Sequence, residues 1–177
     1  VWIRQPLLWQ DIQPDNASDF AWDDYDAIVS AVDEHDRLQL VAVLDGTPAW
    51  ARSKLAEGHA FAPPARIADY AAFARAVAAR YGDSITYYQI WDEPNIRIHW
   101  GYMDPRPAHY TTMLCDAYDA IHSTDPHANV IAAALAPNVE AGPENLSDLR
   151  FLRAMYELGA GDCFDAAAAK PYGYSTG

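Results

Sequence analysis

The chain has 177 residues, of which 51% are hydrophobic and 12% aromatic, and its formal net charge is −13. This length and apolar content suffice for a domain with a sizeable core and exclude an intrinsically disordered chain. With 12 Lys and Arg against 25 Asp and Glu, the sequence lacks the basic surface by which proteins bind nucleic acids or anionic membranes. No apolar run approaches the roughly 20 residues that cross a bilayer.

Apolar residues recur at strand spacing in five stretches of the chain. The segment from Val1 to Trp9 predicts a strand and its exit loop, and β-branched and aromatic residues predict further strands downstream. These later strands are predicted at Leu38–Leu44, Ile85–Trp91, Val130–Leu135 and Phe164–Ala169. The near-continuous apolar run of Leu38–Leu44 is typical of a parallel strand that is covered on both faces.

Helical spacing fills the segments between these strands. We predict helices around Tyr25–Val32 and Tyr110–Ile121, and another that Pro63–Pro64 opens, because proline suits the first helical turn. A fourth helix is predicted after an N-terminal Ser147 cap. Its apolar stripe is predicted to consist of Leu149, Leu152 and Tyr156.

The strict alternation of strands and helices predicts an α/β fold with parallel strands and outer helices. Two architectures fit this order, a (β/α)8 barrel and an open doubly wound sheet. An open sheet that binds nucleotides usually has a Gly-rich turn after its first strand, and none of these strands is followed by one. The strand ends carry Trp, Asp, Glu, Pro and Tyr instead, which favours a TIM barrel, whose active site is built from the strand ends.

The segment Gln89–Asn95 carries the clearest chemical signal. An apolar strand runs directly into Asp92 and Glu93, so a barrel would place Glu93 at its C-terminal mouth. Cleavage of a glycoside needs a carboxylic acid beside the glycosidic oxygen and a second carboxylate across the sugar. Partial desolvation beside Trp91 favours a general acid. The segment therefore predicts a glycosidase acid.

The sequence Trp91-Asp92-Glu93-Pro94-Asn95 resembles Trp-Asn-Glu-Pro-Asn, which marks the acid/base at the end of strand four in the (β/α)8 glycoside hydrolases of clan A. Other segments resemble that clan in the same order, as strands two to six. They are Ile3–Arg4 with Trp9 and Ile12–Pro14, Asp45–Ala51, and Lys170–Gly173, the last at the place of a His-Pro-Tyr segment. A TIM barrel typically takes about 250 residues, so we expect residues 1–177 to be one incomplete barrel domain, an internal fragment without strands one, seven and eight.

The resemblance implies a retaining double-displacement glycosidase that acts on a β-linked oligosaccharide or polysaccharide, without cofactor or metal. Glu93 would be the general acid/base, and the nucleophile would be a Glu after strand seven, outside this chain. Arg4 would be the basic residue that orients the nucleophile. Trp50, Trp91 and Tyr172 would line the sugar subsites. The remaining expected substrate-binding residues are Asp92, Asn95 and Lys170.

Two positions depart from the clan pattern. Asp92 replaces an Asn whose amide donates to the sugar 2-hydroxyl, whereas an ionised Asp can only accept a hydrogen bond. Lys170 replaces a His, and it could pair with Asp92 or bind an acidic substituent of the substrate. These departures motivate an alternative function, a barrel that binds carbohydrate without cleaving it. A metal-dependent hydrolase using Asp92, Glu93 and His99 is a third possibility, although their spacing fits no standard site.

Structural roles are the competing interpretation for each candidate. Glu93 could hold a neighbouring Arg, Arg4 and Lys170 could be simple ion-pair partners, and the aromatic candidates could be core residues. The two cysteines, Cys115 and Cys163, are expected to be free buried thiols. Compartment stays unassigned, with an extracellular location slightly favoured because enzymes of sugar polymers are often exported.

Overall fold

Five parallel strands form a single sheet in the computed structural model, which describes residues 1–172. The strands are β1 (Trp2–Leu8), β2 (Gln39–Asp45), β3 (Tyr87–Asp92), β4 (Asn129–Leu135) and β5 (Ala166–Ala169). The helices are α1 (Trp9–Ile12), α2 (Asp23–Asp33), α3 (Ile67–Tyr81), α4 (Pro107–His122) and α5 (Asp148–Glu157). None of these helices is long and apolar enough to span a membrane.

The strands lie in the sheet in their sequence order, β1-β2-β3-β4-β5. Each strand is parallel to its neighbours. The pairing between β1 and β2 is continuous, from Trp2 opposite Gln39 to Leu8 opposite Asp45. A doubly wound sheet reverses its strand order at a switch point, whereas the five described strands progress in one direction, as in a TIM barrel. The α/β prediction and the partial (β/α)8 barrel are therefore confirmed.

Aromatic side chains fill the core beneath the C-terminal ends of the strands. Trp9 stacks on Phe73 with ring centroids 5.4 Å apart, and Tyr70 contacts Trp91 edge-on at 5.9 Å. Trp100 extends this cluster from the far side of Trp91, also at 5.9 Å. All five rings are at most 1% exposed, so the loops at this end of the sheet rest on a rigid base.

The prediction that Pro63–Pro64 opens a helix is wrong, because α3 begins only at Ile67. The two prolines lie in the preceding loop, where Pro64 pairs with Arg52 in an isolated antiparallel bridge. The N–H of Ala65 donates to the carbonyl oxygen of Ala51 at 2.8 Å. The backbone here binds the loop after β2 instead of starting a helix.

Helix α5 buries a different face from the one that its sequence predicts. Phe151 and Met155, one turn apart, are at most 1% exposed, whereas Leu149 is 75% and Tyr156 54% exposed. The predicted stripe is therefore wrong for Leu149 and Tyr156, whereas Leu152 is partly buried and packs against the core. Phe151 and Met155 lie at i and i+4, so they share one side of the helix, and that side packs towards α4.

The cysteines are not free thiols, because Cys115 and Cys163 form a disulfide bond with their Cα atoms 4.7 Å apart. Cys115 lies in α4, and Cys163 follows a 3₁₀ turn, Ala160–Asp162, that leads towards β5. A separation of 48 residues in the sequence conceals this proximity, which arises only when α4 packs beside that turn. The bond ties the approach to β5 to a helix of the outer layer.

Candidate active site

Charged side chains from alternate strands meet at the C-terminal side of the sheet. Arg4 comes from β1, Asp92 and Glu93 from the end of β3, and Lys170 from the residue directly after β5. In a TIM barrel, side chains of alternate strands point inwards in the same layer. The strand order therefore explains why residues that are far apart in sequence come together here.

These four residues form a row of ion pairs with alternating charge. The Arg4 Nη2 atom lies 2.7 Å from Asp92 Oδ1. The Lys170 ammonium donates to Asp92 Oδ2 at 2.9 Å and to Glu93 Oε1 at 2.6 Å. The side chains of Asp92, Glu93 and Lys170 are only 13–15% exposed, so water screens these pairs less than it screens surface pairs.

Gln89 supports the row from below, although the sequence did not single it out as a site residue. Its Oε1 accepts from Arg4 Nε at 3.1 Å, and its amide donates to the Trp91 carbonyl oxygen at 2.7 Å. The side chain is buried, at 2% exposed. A polar residue in the middle of the apolar and aromatic run of β3 is the signal that could have revealed it, since buried amides need partners.

The backbone takes an uncommon course where β3 ends. Trp91 has a φ of 67° and Glu93 a φ of 48°, values in the left-handed region that bulky residues seldom adopt. Such conformations persist where the surroundings hold them, and they concentrate at functional sites. The N–H of Glu93 donates to the carbonyl oxygen of Ala134 at 3.1 Å, which fixes the turn to β4.

The prediction that Trp91 lines a sugar subsite is wrong, because its ring is fully buried in the aromatic core. The Trp91 side chain points into the aromatic core, where its ring contacts Tyr70 and Trp100. Its indole N–H donates to the carbonyl oxygen of His99 at 3.0 Å. Trp91 therefore supports the turn that carries Glu93 and has no surface to offer a ligand.

Asn95 is likewise structural, so its prediction as a substrate-binding residue is wrong. Its amide donates to the carbonyl oxygens of Ala136 and Leu146 at 2.8 and 2.9 Å, and its oxygen accepts from the Ala136 N–H at 2.8 Å. The residue is 0% exposed. Asn95 joins the loop after β3 to the loop after β4.

Trp50 lies in a 3₁₀ turn after β2 and packs against the segment that follows β1. Its indole N–H donates to the carbonyl oxygen of Gln13 at 2.8 Å, and its ring contacts Trp9 edge-on at 5.6 Å. Trp50 also borders a cavity of about 410 Å³ beside α3, together with Phe20. The prediction that Trp50 lines a sugar subsite stays a prediction, because its side chain is only partly buried.

Tyr172 remains available to a ligand, since its side chain is exposed. Its backbone N–H donates to the carbonyl oxygen of Lys170 at 2.8 Å, which keeps the tyrosine close to the charged row along the chain. Gly173, the last residue of the segment that resembles His-Pro-Tyr, lies outside the described residues.

His99 approaches the free oxygen of Glu93. Its Nε2 lies 3.6 Å from Glu93 Oε2, and its ring stacks on Phe61 with centroids 5.4 Å apart. His99 Nδ1 is buried without a hydrogen-bond partner among the described residues. Within residues 1–172, no group of three or more His, Cys, Asp or Glu side chains is arranged to hold a metal ion.

Two pKa values at the site are displaced. Burial raises the pKa of Asp45, at the end of β2, to about 7, opposed by a hydrogen bond from the Gly46 N–H and assisted by the charge of Asp92. Burial alone would lower the pKa of Lys170, but hydrogen bonds to Glu93 and Asp92 outweigh it and raise that pKa above its usual value. Lys170 is therefore a cation at neutral pH. The sequence did not single out Asp45 as a site residue, because its burial depends on neighbouring strands.

Comparisons with known proteins show what the fold resembles. No protein-family model matches the sequence, and no curated protein matches it significantly. A family 39 glycoside hydrolase structure from Bacteroides cellulosilyticus WH2 matches with a TM-score of 0.69 and 22% identity, over 97% of this chain and 32% of that one. A β-xylosidase from Caulobacter crescentus CB15 matches with a TM-score of 0.65 and 18% identity, over 97% and 36%.

A hyperthermophilic β-glucosidase from Pyrococcus furiosus gives a TM-score of 0.66 at 16% identity, over 96% of this chain and 49% of that one. The chain thus spans 32–49% of the length of these three structures. The fold is that of part of a (β/α)8 barrel, which these glycosidase structures share. This agreement confirms the resemblance that the motifs indicate at the level of the fold.

Proposed function

We propose that the chain supplies the general acid/base and its surroundings to a retaining β-glycosidase. The observation that carries the proposal is the position of Glu93, at the C-terminal end of β3, in a partly buried row of charges at the face where barrel enzymes hold their sites. The structures that share the fold include a β-xylosidase and a β-glucosidase, which supports a β-linked oligosaccharide or polysaccharide as substrate.

Glu93 would act twice in the reaction. It first protonates the glycosidic oxygen while a second carboxylate forms a covalent bond to the sugar, and it then takes a proton from the water that breaks that bond. Lys170 occupies Oε1 at 2.6 Å, so Oε2 is the oxygen that would carry the transferred proton. We propose that the second carboxylate lies outside residues 1–172, about 5–5.5 Å from Glu93.

Asp92 would contact the sugar differently from the Asn that it replaces. Its two oxygens accept from Arg4 and from Lys170, and an ionised carboxylate has further lone pairs but no proton. A sugar hydroxyl would therefore have to donate to Asp92. Arg4, whose side chain is 41% exposed, would remain able to contact the nucleophile.

The test is the variant Glu93→Gln in the complete protein, assayed on an aryl β-glycoside. Loss of the general acid should lower turnover by about 10²–10⁴-fold, the usual contribution of such catalysis. Glu157→Gln is the matched control, because Glu157 is exposed at the end of α5 and should leave turnover unchanged. Unaltered turnover in Glu93→Gln would remove Glu93 from the mechanism.

The second candidate function is carbohydrate binding without cleavage. It is favoured by one observation: the Lys170 ammonium donates to Glu93 Oε1 at 2.6 Å, so one of the two carboxylate oxygens is already engaged in an ion pair. Calorimetric titration with oligosaccharides, alongside an assay for new reducing ends, separates the two functions. Binding without new reducing ends supports the second function, and hydrolysis excludes it.

A further inference from the structure

The two residues that depart from the clan pattern contact each other. Asp92 and Lys170 are 78 positions apart in the sequence, yet Lys170 Nζ lies 2.9 Å from Asp92 Oδ2. We propose that Asp92 and Lys170 act as one charged unit that positions the Glu93 carboxylate, with Lys170 as the positioning residue. This inference rests on the proposed role of Glu93 as the general acid/base.

Asp92 is the fixed end of the unit. Its Oδ1 is held by Arg4 at 2.7 Å, and the Gln89 amide lies 3.4 Å from the same oxygen. Gln89 is in turn bound to Arg4 and to the Trp91 backbone. Arg4 and Gln89 each contact Asp92 and one another, and these contacts restrict the orientation of the Asp92 carboxylate. Oδ2 is the oxygen that then faces Lys170.

Lys170 connects the fixed Asp92 carboxylate to the Glu93 carboxylate. An ammonium has three donors, and two of them serve Asp92 and Glu93. The Lys170 side chain is 15% exposed, so packing restricts the rotamers of its long stem. The Glu93 carboxylate is thereby held at Oε1, and Oε2 is left to face His99 and a substrate.

The unit should respond differently to the loss of one partner and of both. Without Lys170, Asp92 and Glu93 would be two partly buried carboxylates that face each other without their shared cation, and like charges repel. Loss of Lys170 alone leaves the row of Arg4, Asp92, Glu93 and Lys170 with one excess negative charge, and loss of Asp92 alone leaves one excess positive charge. The double variant leaves Arg4 and Glu93, whose charges balance. The effects of the two substitutions should therefore be strongly non-additive.

The experiment compares Lys170→Met, Asp92→Asn and the double variant in the complete protein on two aryl β-glycosides. One carries a dinitrophenolate leaving group, which departs without protonation, and the other an unactivated phenolate. If Lys170 positions the acid, Lys170→Met should lower kcat/KM about ten-fold or more on the unactivated glycoside and less than about three-fold on the activated one. The double variant should lose less than the product of the two single losses.

Three further variants serve as controls for this experiment. Lys54→Met removes the only other lysine of the chain, which is exposed after β2, and should leave both rates unchanged. Lys170→Arg keeps the positive charge and should rescue the unactivated glycoside in part. If Lys170→Met does not fold, as judged by circular dichroism, Lys170→Gln provides the same comparison of the two glycosides.

Equal losses on both glycosides, or losses that multiply in the double variant, would overturn the positioning role. Glu93→Gln, measured on the same two glycosides, keeps this outcome separate from the proposed function. If Glu93→Gln has no effect on the unactivated glycoside, the proposed function itself is wrong. If Glu93→Gln abolishes that activity while Lys170→Met affects both glycosides alike, only the positioning unit is wrong.

Discussion

Asp45 is a buried carboxyl beside the row of ion pairs, and its titration couples the site to the stability of the fold. Its pKa is about 7 in the folded protein against an ordinary value of 3.8. Between these values the folded state holds a proton that the unfolded chain has released. The free energy of unfolding therefore falls as the pH rises through this interval, and it is not changed further by Asp45 above it.

We predict that Asp45→Asn removes this dependence. Relative to the original protein, the variant should gain stability between about pH 4 and pH 7, by up to about 1.4 kcal/mol for each pH unit. Urea unfolding of both proteins at several pH values measures the difference. Asp15→Asn, in an exposed loop position, is the control and should show no such trend. A stability difference that is the same at every pH would contradict the raised pKa.

The individual residues also show what a sequence can indicate about a site. Glu93 was predictable because its signal is local, a carboxylate directly after an apolar strand. The orientation of Trp91 was not, because the alternation of side chains along a strand assumes extended backbone, and Trp91 has a φ of 67°. The role of Gln89 depends on Arg4, from another strand, and no local pattern carries that contact.

Elements were predicted well where their apolar spacing is long and regular. The strands and α2, α3 and α4 lie where that spacing indicates, to within a few residues, and the Ser147 cap is confirmed by a hydrogen bond from the Arg150 N–H. Helix α5 is shorter, with 10 residues, and apolar side chains occur on more than one of its sides. Which side is buried is decided by α4, which its own sequence does not describe.

The corrected face of α5 yields a paired prediction. Phe151 is fully buried and its ring lies 5.8 Å from that of Tyr110, so Phe151→Ala should lower the free energy of unfolding by about 3–5 kcal/mol. Leu149→Ala, two residues before Phe151 on the exposed side of the helix, should change it by less than about 0.5 kcal/mol. Chemical denaturation measures both. A larger loss in Leu149→Ala than in Phe151→Ala would mean that the predicted stripe, not the observed one, packs against the core.

At the scale of the whole molecule, the described sheet has two open edges. In residues 1–172, β1 pairs only with β2, and β5 only with β4. Unpaired backbone groups on such edges are templates for association with other chains. The architecture itself was predictable, because the alternation of strands and helices and the order of the strand-end motifs are properties of the entire sequence.

We therefore predict that the 177-residue chain, expressed alone, self-associates. Light scattering coupled to size exclusion should give a mass above 19.6 kDa that rises with protein concentration. A monodisperse monomer over the same concentrations would show that the edges are protected.

The bond between Cys115 and Cys163 has a consequence for where this protein can be made and can work. Disulfides form and persist in oxidising surroundings and are reduced in most cytosols. The bond holds Cys163, which lies shortly before β5, and β5 leads directly to Lys170. A host that exports the chain to an oxidising compartment would preserve the link between α4 and the charged row, whereas a reducing cytoplasm would release it. We therefore expect the redox state of the surroundings to affect how firmly the chain is held before β5, the strand that leads to Lys170.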